Sequence, residues 1–286
     1  MTRSLITLTT KRRKILNAFE GDSITREIQK KGEYDGNTLD SLTSVLAMIQ
    51  PKVSLDVGAN IGNHAFVIAD YSKRVIAFEP ISFIFEVLKA NIGQNDASHV
   101  EAVNAGLSDK AGEIEIFIPD NGNLGSSSLE MAEGEGERLK IKTLVGDCYL
   151  VQLQPGEIDF IKMDVEGHEV AALCGLKNTI EQYQPLLLLE YNNRKTIDGF
   201  RNLDFFNTLF AGYTVFSITT TSSKKVHSGV TGWFKRIYRK FVDKRWVLSS
   251  FDPDRRYSNI YLVPSRYRSV FDTLPFMKAC GCGRNR

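Results

Sequence analysis

Cysteine is scarce in this chain of 286 residues, occurring only at Cys148, Cys174, Cys280 and Cys282. Thiols so few and so scattered make no disulfide framework, which points to a reducing cytoplasm. Cys280-Gly281-Cys282 would offer a metal only two ligands in a glycine-rich tail and reads as a frayed terminus. Long apolar runs are missing as well. Stretches such as Leu186 to Leu189 stay far short of the roughly 20 residues that span a bilayer. The opening residues carry Arg3, Lys11, Arg12, Arg13 and Lys14, with no apolar core of signal-peptide length behind them. Internal repeats and low-complexity tracts are absent. With 42% hydrophobic residues, the chain is expected to form one large α/β domain with decorations.

Charge nearly cancels, at a net +2, but it is unevenly spread. From Glu113 to Glu137 every charged side chain is acidic. Between Lys224 and Arg245 the bases are opposed by Asp243 alone. Such asymmetry bears on surfaces and partners rather than on the fold.

The most informative stretch runs from Asp56 to Gly62 and reads Asp-Val-Gly-Ala-Asn-Ile-Gly. It follows the apolar Val53-Ser54-Leu55 and leads into the helical pattern Ala65 to Ala69. A strand, a glycine turn and a helix in succession bind a nucleotide-like ligand. Gly58 lets the backbone approach that ligand, and Gly62 lets the helix pack on the sheet. About twenty residues on, the strand Arg74 to Phe78 ends in Glu79-Pro80, where an acid can accept hydrogen bonds from both ribose hydroxyls. Asn60 replaces the middle glycine of a dinucleotide fingerprint, and Asp56 would repel a pyrophosphate. A ligand with a ribose and a cationic amino-acid part but no phosphate fits better, and S-adenosylmethionine is such a molecule.

A second block starts at Ile158. Ile158 to Asp164 reads as a buried strand, followed by Val165-Glu166-Gly167-His168-Glu169 and a helix from Val170 to Leu176. Pro185 to Glu190 is another buried strand with an acid at its carboxyl end. Together with Phe78-Glu79-Pro80, Asn104 to Asp109 and Gly125 to Leu129, these residues resemble the FkbM family of methyltransferases. The resemblance runs from about Leu39 to Asn192, and Asp164 to Glu169 is its specific part. It implies a Rossmann-like class I methyltransferase fold, α/β, with a mostly parallel seven-stranded sheet and helices on both faces. It further implies S-adenosylmethionine as cofactor and O-methylation of a hydroxyl on a sugar, glycolipid or secondary metabolite.

The domain boundaries follow from the patterning. Residues 1–50 are expected to form a helical cap, with Leu39, Leu42, Val45, Leu46 and Ile49 at helical spacing. Residues 51–267 are the methyltransferase domain, with an insertion at 219–258 before the last strand, and 268–286 are a tail. Gly112 to Pro119 alternates polar and apolar, as one arm of a hairpin would. Tyr213 to Ile218 and Asn259 to Val263 are expected to be a final pair of strands. Within the insertion, Trp233 to Val247 reads as a helix with Phe234, Ile237, Tyr238, Phe241 and Val242 opposite Lys235, Arg236, Arg239, Lys240 and Lys244. Such a helix is a lid over the active-site rim, a clamp on an anionic substrate, or a peripheral contact with the inner membrane surface.

In open α/β sheets ligands bind beyond the carboxyl ends of the strands. Cofactor contacts are therefore expected at Asp56 (the amino-acid part), at Gly58, Ala59, Asn60, Gly62 and His64 around the turn, and at Glu79. Asn104 or Ser108 would meet the adenine. Methyl transfer to an unactivated hydroxyl needs in-line approach and loss of a proton. The candidate bases are Asp164, Glu166, His168 and Glu169, and Lys162 is expected to pair with Asp164 or Glu190. Asp164, Glu190 and Asn192 also suggest a divalent metal, which the pattern does not demand. Two competing functions have less behind them. Nucleic-acid methylation is encouraged by the basic segment, but Asp164-Val165-Glu166-Gly167 stands where an Asn/Asp-Pro-Pro-aromatic motif belongs, so nucleic acid is not the expected partner. A non-catalytic cofactor-binding scaffold is opposed by the intact acidic block.

Overall fold

The computed structural model describes residues 3–119, 136–202, 204–222 and 244–277. The chain opens with β1 (Leu5–Thr9), β2 (Ile15–Phe19), α1 (Ser23–Lys31) and α2 (Gly36–Ile49). Next come β3 (Val53–Val57), α3 (Asn63–Ala69), β4 (Arg74–Phe78), α4 (Ser82–Gln94) and β5 (Val100–Val103). Three strands follow, β6 (Gly106–Ser108), β7 (Gly112–Pro119) and β8 (Gly136–Val145), before α5 (Gly146–Leu153) and β9 (Ile158–Met163). The next elements are α6 (Glu169–Gly175), α7 (Lys177–Tyr183), β10 (Leu186–Tyr191), α8 (Arg194–Asn202) and α9 (Asp204–Leu209). The described chain ends with β11 (Thr214–Ser222), β12 (Lys244–Ser250), β13 (Tyr257–Val263), α10 (Arg268–Asp272) and β14 (Phe276–Met277).

Nine strands form the main sheet in the order β14-β12-β11-β13-β10-β9-β3-β4-β5. Its seven strands from β5 to β11 are the expected Rossmann-like methyltransferase sheet, in which β13 runs antiparallel to both β10 and β11. Every residue of β3, β9 and β10 is buried, as parallel strands covered on both faces require. Alternation along β4 divides the core: Val75 and Ala77 belong to one hydrophobic cluster, Ile76 and Phe78 to the other. Side chains the size of Val75, Ile76 and Phe78 contribute about 1.5–3 kcal/mol each when fully buried. A second sheet, ordered β6-β8-β7, contains the expected hairpin arm at Gly112–Pro119, paired antiparallel with β8. Among the described residues no helix is long and apolar enough to cross a membrane.

The structure changes three expectations. The N-terminal cap is not wholly helical, because β1 and β2 form a hairpin ahead of α1 and α2. That hairpin is tied down by side chains of α4 and of the residue that caps it. Asn91 Oδ1 accepts from the Asn17 amide at 2.8 Å, and Asn95 Oδ1 accepts from the Ile15 amide at 2.9 Å. At the far side, Lys244 to Val247 do not close a helix but run as β12, antiparallel to β11 from Phe216↔Ser250 to Ser222↔Lys244. The β-branched run Thr219-Thr220-Thr221 leaves a strand edge, and pairing it buries Trp246 and Val247. Finally, the start of the tail is structured, since Phe276 and Met277 add β14 to β12. Gly125 to Leu129, the rest of the basic segment from Trp233 to Asp243, and Cys280-Gly281-Cys282 lie outside the described residues.

Candidate active site

A cavity of about 150 Å³ opens at the carboxyl ends of β3, β4 and β9, where the strand order reverses. Its floor is the turn after β3. Gly58 has φ +83°, and a Cβ there would lie 1.9 Å from the carbonyl oxygen of Asp164, so no other residue fits. The amides of Gly58 and Ala59 both donate to the Phe78 carbonyl, at 3.0 and 2.9 Å. Asn60 holds a left-handed φ of 50°, and its Oδ1 accepts from the Ile61 amide at 2.8 Å. Glu79 closes the turn from β4. Its Oε2 accepts from the Asn60 amide at 3.0 Å and its Oε1 from the Ile81 amide at 2.8 Å. Burial pushes this carboxyl up to about 7 despite those two bonds. Each oxygen keeps a lone pair for a ribose hydroxyl.

Gly58, Ala59, Asn60, His64 and Glu79 line the cavity, whereas Asp56, Gly62, Asn104 and Ser108 do not. Asp56 is fully buried and stands in register with Lys162 on the adjacent strand. Among the described residues no amide or hydroxyl donates to its oxygens, and Oδ1 lies 3.2 Å from the Lys162 ammonium. Burial still raises its carboxyl. Lys162 therefore pairs first with Asp56, at 3.2 Å, and less closely with Asp164, at 3.6 Å. It also donates to the Gly58 carbonyl at 2.9 Å, which makes it a brace beneath the turn. Gly62 packs α3: a Cβ would meet Phe66 at 2.6 Å and Leu88 at 2.9 Å. Asn104 donates to the carbonyls of Glu79 and Pro80, at 2.9 and 3.2 Å, and so shapes the loop that carries Glu79. His64 is nearly buried, 3.6 Å from Asp35 and edge-on to Tyr34.

The opposite wall is acidic. Asp164, Glu166 and His168 line the cavity beside Lys162. The Asp164 amide donates to the Val57 carbonyl at 3.0 Å, and the chain then bends through left-handed conformations at Glu166 (φ +53°) and Gly167 (φ +95°). Burial, with Asp164 and Glu169 nearby, pushes the Glu166 carboxyl up to about 7. Burial lowers the His168 imidazole, whose Nε2 meets the Ser108 hydroxyl at 3.0 Å. Glu169 belongs to a different part of the machinery than a base would. It is fully buried, its Oε1 accepts from the amides of Val165 and Gly167 at 3.0 and 3.2 Å, and its Oε2 accepts from the Thr196 hydroxyl. It thereby clasps the bend to α8.

Glu190, 9% exposed, stands at the end of β10. Its Oε1 accepts from Asn192 Nδ2 at 2.6 Å, while among the described residues no amide, hydroxyl or basic side chain reaches Oε2. Burial and the neighbouring Asp164 push this carboxyl up to about 10. Asp164, Glu166 and Glu190 place one carboxylate oxygen each within 4.8 Å of the others, and Asn192 supports Glu190 from outside that group. Sequence reasoning missed several parts of the cavity wall. Ile24 and Tyr34 come from the N-terminal segment, and Ile114, Ile116 and Ile141 from the second sheet. The alternation around Ile114 and Ile116 did mark them as one face. Tyr34 carries no such signal.

Residues 56–215, more than half of the chain, match the family described as the methyltransferase FkbM domain. The chain belongs to the FkbM methyltransferase family. Among its relatives, the hexuronic acid methyltransferase AglP of Haloferax volcanii is 33% identical over 126 residues, which cover 44% of this chain and 50% of AglP. The methyltransferase sdnD of Sordaria araneosa is 29% identical over 157 residues, covering 43% of this chain and 59% of sdnD. The FkbM member thus spans about half the length of these curated relatives. Two solved structures are similar. Methyltransferase FkbM from Methylobacillus flagellatus aligns at 19% identity and a TM-score of 0.42, over 74% of this chain and 44% of the other. The O-methyltransferase from Bacillus cereus, in complex with SAH, aligns at 12% identity and a TM-score of 0.44, over 85% and 91%.

Proposed function

We propose that this FkbM member transfers a methyl group from S-adenosylmethionine to a hydroxyl oxygen of a sugar-like acceptor. One observation carries the reading: the Gly58 turn with Glu79 and the carboxylates of Asp164 and Glu166 share a single cavity. The residues fit the cofactor, since Gly58 leaves no side chain over the turn and Glu79 keeps free lone pairs where a ribose would sit. When bound, the sulfonium supplies an electrophilic methyl: the S–CH₃ bond breaks, an O–CH₃ bond forms, and the pair of electrons stays on sulfur in S-adenosylhomocysteine. Glu79 orients the ribose, and Lys162 fixes the Gly58 carbonyl beneath the turn. Asp164 and Glu166 receive the hydroxyl proton, Glu166 being suited by a carboxyl that titrates near 7. In-line attack needs only position and proton removal, and a cation at the acidic wall would add to it by polarising the hydroxyl.

AglP is named for hexuronic acid, which offers both hydroxyls and a carboxylate. The acidic wall favours a hydroxyl as the attacking group here, because a sugar carboxylate would meet like charge. The test is incubation with methyl-labelled cofactor and a panel of hexoses, hexuronic acids and lipid-linked glycans. Mild alkali then separates the products: label retained as an ether supports the proposal, and label released as methanol marks an ester and overturns the choice of oxygen.

A further inference from the structure

The acidic wall holds more carboxylates than the neighbouring cation can serve. Lys162 is shared among Asp56, Asp164 and the Gly58 carbonyl, and it is the only cationic side chain lining the cavity among the described residues, His64 and His168 being imidazoles. Glu166 and Glu190 add two further acids, with no basic side chain in ion-pair contact among the described residues. Buried carboxylates are paired, protonated or metal-bound, because an isolated buried charge is costly. Glu190 provides an observation independent of the clustering. It is 9% exposed, yet among the described residues no amide, hydroxyl or basic side chain reaches its Oε2, which has only the carboxyl groups of the cluster beside it, while Asn192 holds the other oxygen at 2.6 Å. A carboxylate fixed by a neighbour through one oxygen, with its second oxygen beside other carboxyls, is arranged as metal ligands commonly are.

We propose that Asp164, Glu166 and Glu190 form a binding site for one divalent, oxygen-seeking cation of the Mg²⁺ or Mn²⁺ class. Their oxygens lie within 4.8 Å of one another, the spread that ligands of one ion occupy before it draws them in. Three carboxylates leave coordination positions for water and for an acceptor oxygen, as an octahedral cation needs. The ligands come from the end of β9, the bend after it and the end of β10, so the ion sits between the cofactor turn and the acceptor space. Bound there, it would withdraw charge from an acceptor hydroxyl and ease loss of its proton. Only this role rests on the methyltransferase reading, because binding itself does not require turnover.

Mn²⁺ is the probe. The full chain, treated with chelator and dialysed, is titrated with Mn²⁺, and the free-ion signal is followed by electron paramagnetic resonance with calorimetry alongside. The expected result is one ion per chain with a Kd below about 100 µM. Glu190→Gln and Glu166→Gln should each weaken binding by about tenfold or more. Either variant suffices if the other fails to fold by circular dichroism. A Kd in the millimolar range, or binding unchanged in a folded variant, overturns the site. S-adenosylhomocysteine is titrated separately into the wild-type chain. Failure there with Mn²⁺ still bound strikes the methyltransferase reading alone, and the reverse pattern strikes the cation site alone.

Discussion

Glu79, which lines the cavity, and Glu190, which stands behind its acidic wall beside Asp164 and Glu166, are both buried glutamates near strand ends, and they are built differently. Both oxygens of Glu79 are held by backbone amides, those of Asn60 and Ile81. Glu190 is held at one oxygen by a side chain, and among the described residues no amide, hydroxyl or basic side chain reaches the other. The first carboxyl is raised to about 7 and the second to about 10. Backbone amides cannot turn away, so the half proposed for the cofactor is set by the fold itself. The acidic half is assembled from side chains on separate elements and depends on what binds there. An acceptor fixed by backbone amides in this way meets a donor on a ligand without rearrangement.

The sharpest way to break this contrast is Asp164→Asn. Turnover should fall about 10²–10⁴-fold through loss of the proton acceptor, while calorimetric affinity for S-adenosylhomocysteine stays within about threefold. Equal losses in both would mean that the two halves do not function separately. Glu79→Ala should do the reverse, weakening cofactor binding by about 2–4 kcal/mol while the fold survives in circular dichroism. Unchanged affinity would remove Glu79 from the ribose. A smaller effect is expected from Thr196→Val, which strips Glu169 of a donor. The thermal midpoint should drop in line with about 1–3 kcal/mol, and turnover should fall with cofactor affinity intact. A midpoint equal to wild type would show that the bend needs no clasp. The mildest change is with pH. Ribose hydroxyls favour the ionised carboxylate, so cofactor affinity should rise by up to about tenfold per pH unit below 7 and level off above it. In Glu79→Gln the slope should vanish, and a slope that persists belongs to another group. In the unliganded protein the sign is opposite: a folded value above that of the unfolded chain means that Glu79 subtracts stability as pH rises from about 4.5 to 7.

The same division governs how much was legible beforehand. Strands β3 and β4 begin and end where the apolar pattern places them, and β9 and β10 do so within a residue, because continuous burial leaves one reading of such runs. The Gly58 turn and Glu79 are local features and were equally plain. The pairing of Asp56 with Lys162 is not legible in the sequence, because Lys162 is over a hundred residues away and becomes its neighbour only through strand register. The clasp that sets Glu169 apart from the other candidate bases is hidden for the same reason, since Thr196 reaches it from α8. The β1–β2 hairpin escaped notice because its anchors, Asn91 on α4 and Asn95 just past its end, are far along the chain. Tyr34 entered the cavity from a segment outside the family-matched region.

The carbonyl of Asp164 occupies the space in which any side chain at position 58 would have to stand. On the proposed reading, the loops serving cofactor and acceptor therefore share one wall, with no slack between them. A lineage exploring new acceptors cannot shift the backbone at Asp164 without disturbing the turn beneath the cofactor. Divergence is channelled instead toward parts that hang on the outside of this joint: Tyr34 and Ile24 from the N-terminal segment, and Ile114, Ile116 and Ile141 from the small sheet. Those are the positions where a library for altered acceptor range should start.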